Sequence, residues 1–154
     1  MKNAAKFHIR KALENDIPSI IRLCEKHAAF EKSEYRKKGK VKKLSEAIFS
    51  NIPKLFCLVV EVKGELVGYA TYMKQYSTWD TEEYMYMDCL YLEESYRGSG
   101  IGEKIMVSIG QESKKLGCKL MQWQTPKFNE RAAKFYHRIG AISKEKLRFF
   151  MQND

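Results

Sequence analysis

A chain of 154 residues is long enough for one domain with a real core and too short for two comfortable ones. At 44% hydrophobic and 12% aromatic it is no disordered polymer, and a net charge of +9 favours anionic partners without choosing among them. The longest apolar runs, such as LFCLVV (55–60), are far short of a membrane span, and MKNAAKFHIRKALEND lacks the apolar core of a secretory signal, so a cytoplasmic protein without a membrane partner is expected.

FHIRKA (7–12) alternates and opens the chain as a strand. Asp16 and Pro18 start a helix over IPSIIRLCEKHAAF (17–30), with Ile17, Ile20, Ile21, Cys24 and Ala28 on one side. In YRKKGKVKK (35–43), six of the eight residues from Arg36 to Lys43 are basic, either a solvated loop or a patch for an anionic ligand or partner. A shorter helix around VKKLSEAIF ends near Asn51-Ile52-Pro53. LFCLVVEVKGELVGYATYMKQY (55–76) reads as a hairpin turning at Lys63-Gly64-Glu65, and STWDTEE (77–83) as a loop. MYMDCLYL (85–92) is apolar on both faces and therefore a central strand. Residues 101–116 form a helix with Ile101, Ile105 and Ile109 stacked, closed by Lys114, Lys115 and Gly117. CKLMQWQT (118–125) is a strand, NERAAKFYHRIG (129–140) a helix capped by Asn129 and stopped by Gly140, and KLRFF (146–150) a short final strand.

The order β-α-α-β-β-β-α-β-α-β is a single α/β (α+β) domain over residues 1–154, a mixed sheet with helices on its faces. Cys24, Cys57, Cys89 and Cys118 contain no Cys-x-x-Cys pair, and the three histidines have no ligand spacing. Reduced core thiols are expected rather than a disulfide framework or a metal site. No nucleic-acid-binding motif accompanies the positive charge.

Two features carry chemistry. Arg97-Gly98-Ser99-Gly100-Ile101-Gly102 follows a buried strand and opens a helix, the context in which backbone N–H groups and the helix dipole hold an anion. The glycines do not spell G-x-G-x-x-G, because position 103 is Glu, and no Gly-Lys-Ser/Thr follows, so neither dinucleotide-binding nor P-loop chemistry is indicated. A glycine-rich turn that merely starts a helix is the alternative. The second feature is Asp88, one carboxylate in an otherwise apolar central strand. An acid there is costly unless it is paired structurally or used.

The loop fits the Arg/Gln-x-x-Gly-x-Gly/Ala signature, and with the preceding Leu90-Tyr91-Leu92 and Tyr96 it resembles the GNAT superfamily of N-acetyltransferases. MQWQ, the Asn129 helix start, Phe135-Tyr136 and Ile139-Gly140-Ala141 resemble that superfamily's second motif. Within it, AAFEKSEY (28–35), LVGYATYMKQYSTWDTEEYMYMD (66–88) and FNERAAKFYHRIGA (128–141) are most similar to the spermidine/spermine (diamine) N-acetyltransferases.

The resemblance implies a sheet splayed at its central strands and acetyl-CoA as co-substrate. The pyrophosphate would lie on Arg97, Gly98, Ser99, Gly100, Ile101, Gly102 and Glu103, and the pantetheine arm along Leu90, Tyr91 and Leu92. Gln122, Trp123, Gln124, Asn129, Glu130, Arg131 and Ala132 would add cofactor contacts. Asp88 falls where those enzymes carry an acid that meets the amine, either directly or through a water. Burial beside Met85, Met87 and Leu90 would make it a better base. Tyr136 matches the general acid that protonates the departing thiolate, an assignment suited to a phenol of pKa about 10. By periodicity alone, Ala132, Phe135, Tyr136 and Ile139 are a core stripe. Phe30, Glu31 and Glu145 match positions lining the amine groove, with Glu34, Glu82 and Glu83 as further acids of that kind, while surface carboxylates are the alternative for them. A homodimer is implied too, with the tyrosines and methionines of 72–87 as its surface. Cys89 is read as packing, so direct attack in a ternary complex is expected rather than an acetyl-enzyme. The +9 surface slows the approach of a polycation, which keeps a lysine-like amine such as thialysine as open as a polyamine. Protein or peptide acetylation, a non-catalytic acyl-CoA sensor and a nucleic-acid-binding module are the other readings.

Overall fold

The computed structural model describes residues 6–154, so the first five residues of the expected signal-free N-terminus lie outside it. By its contacts the chain divides into two compact units, one ending at Gln124 and the other Thr125–Asp154.

In the larger unit, β1 (Phe7–Lys11) leads to α1 (Ile17–Phe30) and α2 (Lys40–Phe49). There follow β2 (Phe56–Val62), β3 (Glu65–Ser77), β4 (Glu82–Leu92), α3 (Ile101–Lys115) and β5 (Met121–Trp123). The sheet order is β1-β2-β3-β4-β5, antiparallel throughout except for the parallel β4–β5 pair. β2 and β3 join through Lys63 and Gly64, both at positive φ (50° and 84°), the conformations a two-residue turn requires. β3 and β4 extend further than the sequence suggests. Tyr76 pairs with Glu83 and Ser77 with Glu82, so the expected seven-residue loop is a four-residue turn in which Ser77 and Asp80 hydrogen-bond each other.

Strand alternation gives the sheet two apolar faces. Cys57, Val59, Leu66, Tyr69 and Tyr91 pack with Ala12, Ile17, Ile20, Ile21 and Leu23 into one core under α1. Leu58, Val60, Val62, Ala70 and Tyr72 are buried on the opposite face, with Ile101, Ile105 and Ile109 of α3 also buried. That α3 covers this second face is seen in Lys104 over the Phe7 ring at 4.9 Å and in the charge of Glu112 acting on Tyr72. Asp16 precedes α1 as expected but does not cap it. Its carboxylate instead accepts from the Leu13 amide (2.7 Å) and from both Arg10 terminal nitrogens (2.7 and 3.0 Å). All four cysteines are free thiols. Among the described residues no helix is long and apolar enough to cross a membrane.

The smaller unit holds α4 (Glu130–Arg138), capped as expected: Asn129 Oδ1 accepts from the Ala132 amide at 3.2 Å. The strand expected at 146–150 does not form. Leu147, Phe149 and Phe150 are 84%, 86% and 80% exposed, and the segment has no ladder partner among the described residues. Alternating side chains supply a strand's pattern but not the partner edge that satisfies its backbone.

Candidate active site

Asp88 marks a change in the course of β4. Tyr72 pairs with Met87 and Thr71 with Cys89, so Asp88 is the extra residue of a β-bulge. Because 71 and 72 point to opposite faces, Met87 and Cys89 do so as well. Met85 and Met87 therefore lie on the α3 face, whereas Cys89 and Tyr91 lie on the α1 face, and the strand switches face at the carboxylate. Pairing to β5 involves only Met85, Tyr86 and Met87. Beyond the bulge, residues 88–92 have no strand partner on that side among the described residues. Here the sheet splays, and the same divergence limits β5 to three residues instead of the expected 118–125. The open edge is what an extended ligand needs in order to pair like an added strand.

The position of this edge depends on Gly68, which is opposite Leu92 in β3. A Cβ at 68 would lie 2.8 Å from Leu92 Cδ1 and 2.9 Å from the Tyr91 carbonyl oxygen. Leu90 and Leu92 are half-buried. The Tyr91 ring belongs to the core under α1, leaving its backbone for the ligand.

From Leu92 the chain passes through a single turn at Glu94–Tyr96 into the glycine loop. Gly98 and Gly100 adopt φ of +75° and +81°, and the space where a Cβ would stand is open at both. Lys104 N, 3.2 Å from Gly100 O, makes the first i→i−4 bond of α3, so the amides before it face out of the helix end. This donor set fits a pyrophosphate. Arg97 is used differently from a simple phosphate contact. Its Nε donates to Leu92 O (2.7 Å) and its guanidinium lies over Phe30 (4.4 Å) and near Tyr91 (5.5 Å), tying the loop to β4 and to the end of α1. Ser99 Oγ donates to Tyr96 O at 2.6 Å.

Arg97 thereby meets Phe30 at the C-terminal end of α1, where Glu31 is the cap. Asp88 is exposed, so the burial expected from Met85, Met87 and Leu90 is absent: the bulge turns the carboxylate out while both methionines pack inward. Cys89 Sγ lies 3.7 Å from Asp88 Oδ2, but burial, followed by the Asp88 charge, pushes that thiol up to about 12. It is protonated at neutral pH and is no ready nucleophile. Glu82 and Glu83 pair with Lys119 (2.8 Å) and Lys74 (2.7 Å), so neither is an unpartnered acid awaiting an amine. Glu34 is exposed, as are Gln122 and Gln124, while Trp123 is half-buried.

In the smaller unit Glu130 and Arg131 are exposed, and Ala132, Phe135, Tyr136 and Ile139 form the half-buried stripe. The Phe135 and Tyr136 rings are 5.2 Å apart. Glu145 is exposed and ion-paired with Lys127 at 3.3 Å.

Sequence reasoning missed His27 and Tyr69. His27 Nδ1 lies 2.8 Å from the Tyr69 hydroxyl and Nε2 lies 3.2 Å from Glu31 Oε1, with the ring stacked on Tyr91. Burial, the largest cause, lowers its pKa below the usual 6.5, against the opposing pull of Glu31 and Asp88. The available signal was a histidine in register with Ile20 and Cys24 on the apolar side of α1.

A sequence model described as the acetyltransferase (GNAT) family matches residues 21–141. Thialysine N-epsilon-acetyltransferase of Bos taurus is 33% identical over 141 residues, covering 86% of this chain and 82% of that protein. Spermidine/spermine N(1)-acetyltransferase-like protein 1 of Homo sapiens is 29% identical over 143 residues, covering 88% of this chain and 20% of that protein. Among solved structures, aminoglycoside N-acetyltransferase AAC(6')-Iy in complex with CoA superposes with a TM-score of 0.81 at 14% identity, covering 100% of this chain and 99% of that one.

Proposed function

The chain belongs to the acetyltransferase (GNAT) family, and on that premise we propose that it N-acetylates a primary amine of a small molecule, with acetyl-CoA attacked directly in a ternary complex. The acceptor class is a lysine-like amino acid or a diamine. The observation that most supports this reading is the bulge at Asp88, which puts an exposed carboxylate where β4 leaves β5, at the start of an open edge that runs into the glycine loop.

The acetyl donor supplies an activated carbonyl, and this chain's residues do the rest. Amides at the start of α3 bind the pyrophosphate, and the backbone of Leu90 to Leu92 pairs with the pantetheine arm. An N–H of that segment supports the developing oxyanion, the kind of preorganised donor worth roughly 3 kcal/mol. An aliphatic ammonium, with a pKa near 10.4, must lose a proton before it attacks. Asp88 takes that proton through a water, consistent with its short, exposed side chain. Tyr136 returns a proton to the departing thiolate. A zwitterionic amino acid suffers less from the +9 surface than a polycation, so thialysine, the substrate in the bovine relative's name, comes first.

The reading includes a cytoplasmic homodimer. Of the tyrosines and methionines expected at its surface, Tyr72, Met85 and Met87 are buried and Met73, Tyr84 and Tyr86 half-buried, which leaves Tyr76 as the exposed one. Free CoA should appear when acetyl-CoA is mixed with thialysine, ornithine or a short diamine, and more slowly with peptides. Silence with every small amine, or faster turnover of peptides, overturns the reading.

A further inference from the structure

His27 is a polar side chain on the core side of α1, and its two ring nitrogens are both engaged. Tyr69 is 2% exposed, and burial holds its hydroxyl protonated at any working pH. Glu31 carries a carboxylate, which only accepts. For a neutral imidazole this fixes the tautomer: the Tyr69 hydroxyl donates to Nδ1 (2.8 Å), and Nε2–H donates to Glu31 Oε1 (3.2 Å). The Tyr69 hydroxyl has the thiols of Cys24 and Cys89 as neighbours in the core. The ring itself cannot turn freely. It stacks on Tyr91 with centroids 5.3 Å apart at 23°, and meets Tyr69 edge-on at 5.9 Å.

The relay ends on a half-exposed acid. The His27 side chain is 14% exposed and that of Glu31 35%, so a rigid, nearly buried donor holds a carboxylate whose remaining acceptor positions face outward. Glu31 is the C-cap of α1, its amide donating to His27 O at 3.0 Å, so backbone and side chain both meet His27. The His27 ring stacks on Tyr91 of β4 and Arg97 lies over Phe30, and the charges of Asp88 and Arg97 both act on that ring, so the His27–Glu31 pair is within electrostatic reach of the bulge.

We propose that His27 is a positioning residue: through Nε2–H it fixes Glu31 so that the carboxylate receives the second, non-reacting ammonium of the acceptor while the reacting amine meets Asp88. This rests on the reading of the Glu31–Asp88 end as the acceptor site. It makes the Tyr69–His27–Glu31 relay a determinant of selectivity for acceptors with two cationic nitrogens over monoamines of equal length. The relay does not touch the reacting atoms, so its effect falls on substrate discrimination rather than on the chemical step.

The test is the ratio of kcat/KM for an acceptor with a second ammonium (thialysine or a short diamine) to that for a monoamine of matched length. It is measured in His27→Leu, His27→Gln, Glu31→Gln and the double variant His27→Leu/Glu31→Gln. Glu31→Gln should lower the ratio about tenfold, and His27→Leu about five- to tenfold through KM of the two-ammonium acceptor. His27→Gln, whose side-chain amide keeps an N–H for Glu31, should recover most of the ratio, and the double variant should fall no further than Glu31→Gln alone. If Glu31→Gln leaves the ratio unchanged, the acceptor-site reading itself fails. If Glu31→Gln lowers it but His27→Leu does not, or if the two effects simply multiply, the relay is overturned and the acceptor site stands.

Discussion

Gly68→Ala adds one methyl group where β3 and β4 have no room for it. The glycine is not in the left-handed region, so alanine is compatible with its backbone and gains about 0.4–1 kcal/mol through the unfolded chain. Against that, the new Cβ would meet Leu92 Cδ1 at 2.8 Å and Tyr91 O at 2.9 Å, with Val60 Cγ2 behind it at 3.4 Å. Leu92 can rotate away toward an ordinary contact of about 3.5 Å, but the carbonyl is backbone and moves only with the strand. Overpacking of this kind costs about 1–3 kcal/mol, so the net effect is a destabilisation of about 1–2 kcal/mol. The displaced atoms are the open edge itself and, through Leu92 O, the anchor of Arg97 and the glycine loop. Urea unfolding should show a lower midpoint at unchanged slope, and KM for acetyl-CoA should rise more than KM for the amine. Unchanged stability together with an unchanged acetyl-CoA KM would refute the claim that β3–β4 spacing at Gly68 sets the cofactor edge.

Tyr136→Phe keeps the half-buried stripe of α4 and removes only the hydroxyl; kcat should fall roughly 100-fold while acetyl-CoA affinity measured by calorimetry stays within about twofold. The Asp16 carboxyl is held below its ordinary 3.8, chiefly by hydrogen bonds from Arg10, so the unfolded chain takes up protons before the native one does. Its stabilisation is full above that pH and is lost as pH falls through the depressed native value. The thermal midpoint should fall below about pH 4, and Asp16→Asn should lower stability by about 1–3 kcal/mol at pH 7 while flattening that acid limb.

Much of this architecture was readable in advance because local signals and tertiary packing agreed. The helix expected over 17–30 is α1, with Pro18 in its first turn, and the Lys63-Gly64 turn sits where a hairpin needs positive φ. Leu23 is fully buried although it lies outside the expected stripe of Ile17, Ile20, Ile21, Cys24 and Ala28, because the apolar face of α1 is wider than that stripe. The glycine loop was legible because helix-start chemistry is local. The bulge was not, since it depends on which residue of β3 faces which residue of β4, and a run apolar on both faces hides a change of face. For the same reason Asp88 was expected among buried methionines when the bulge turns it out. The final strand was misread because its alternation says nothing about a free edge to join. His27 looked like one of three scattered histidines, and only packing brought its ring against Tyr69, Tyr91 and Glu31.

The role of Asp88 is tested most directly by comparing kcat/KM for thialysine with the dissociation constant for acetyl-CoA in Asp88→Asn. Asparagine matches the carboxylate in shape but cannot take the ammonium's proton, and a positioned general base contributes at least about 100-fold. The expected result is a fall in kcat/KM of about 100-fold at pH 7, with acetyl-CoA binding within about twofold of the unmodified protein. Turnover of the asparagine variant at the unmodified rate would contradict the account, because the bulge would then present a carboxylate that the reaction does not use.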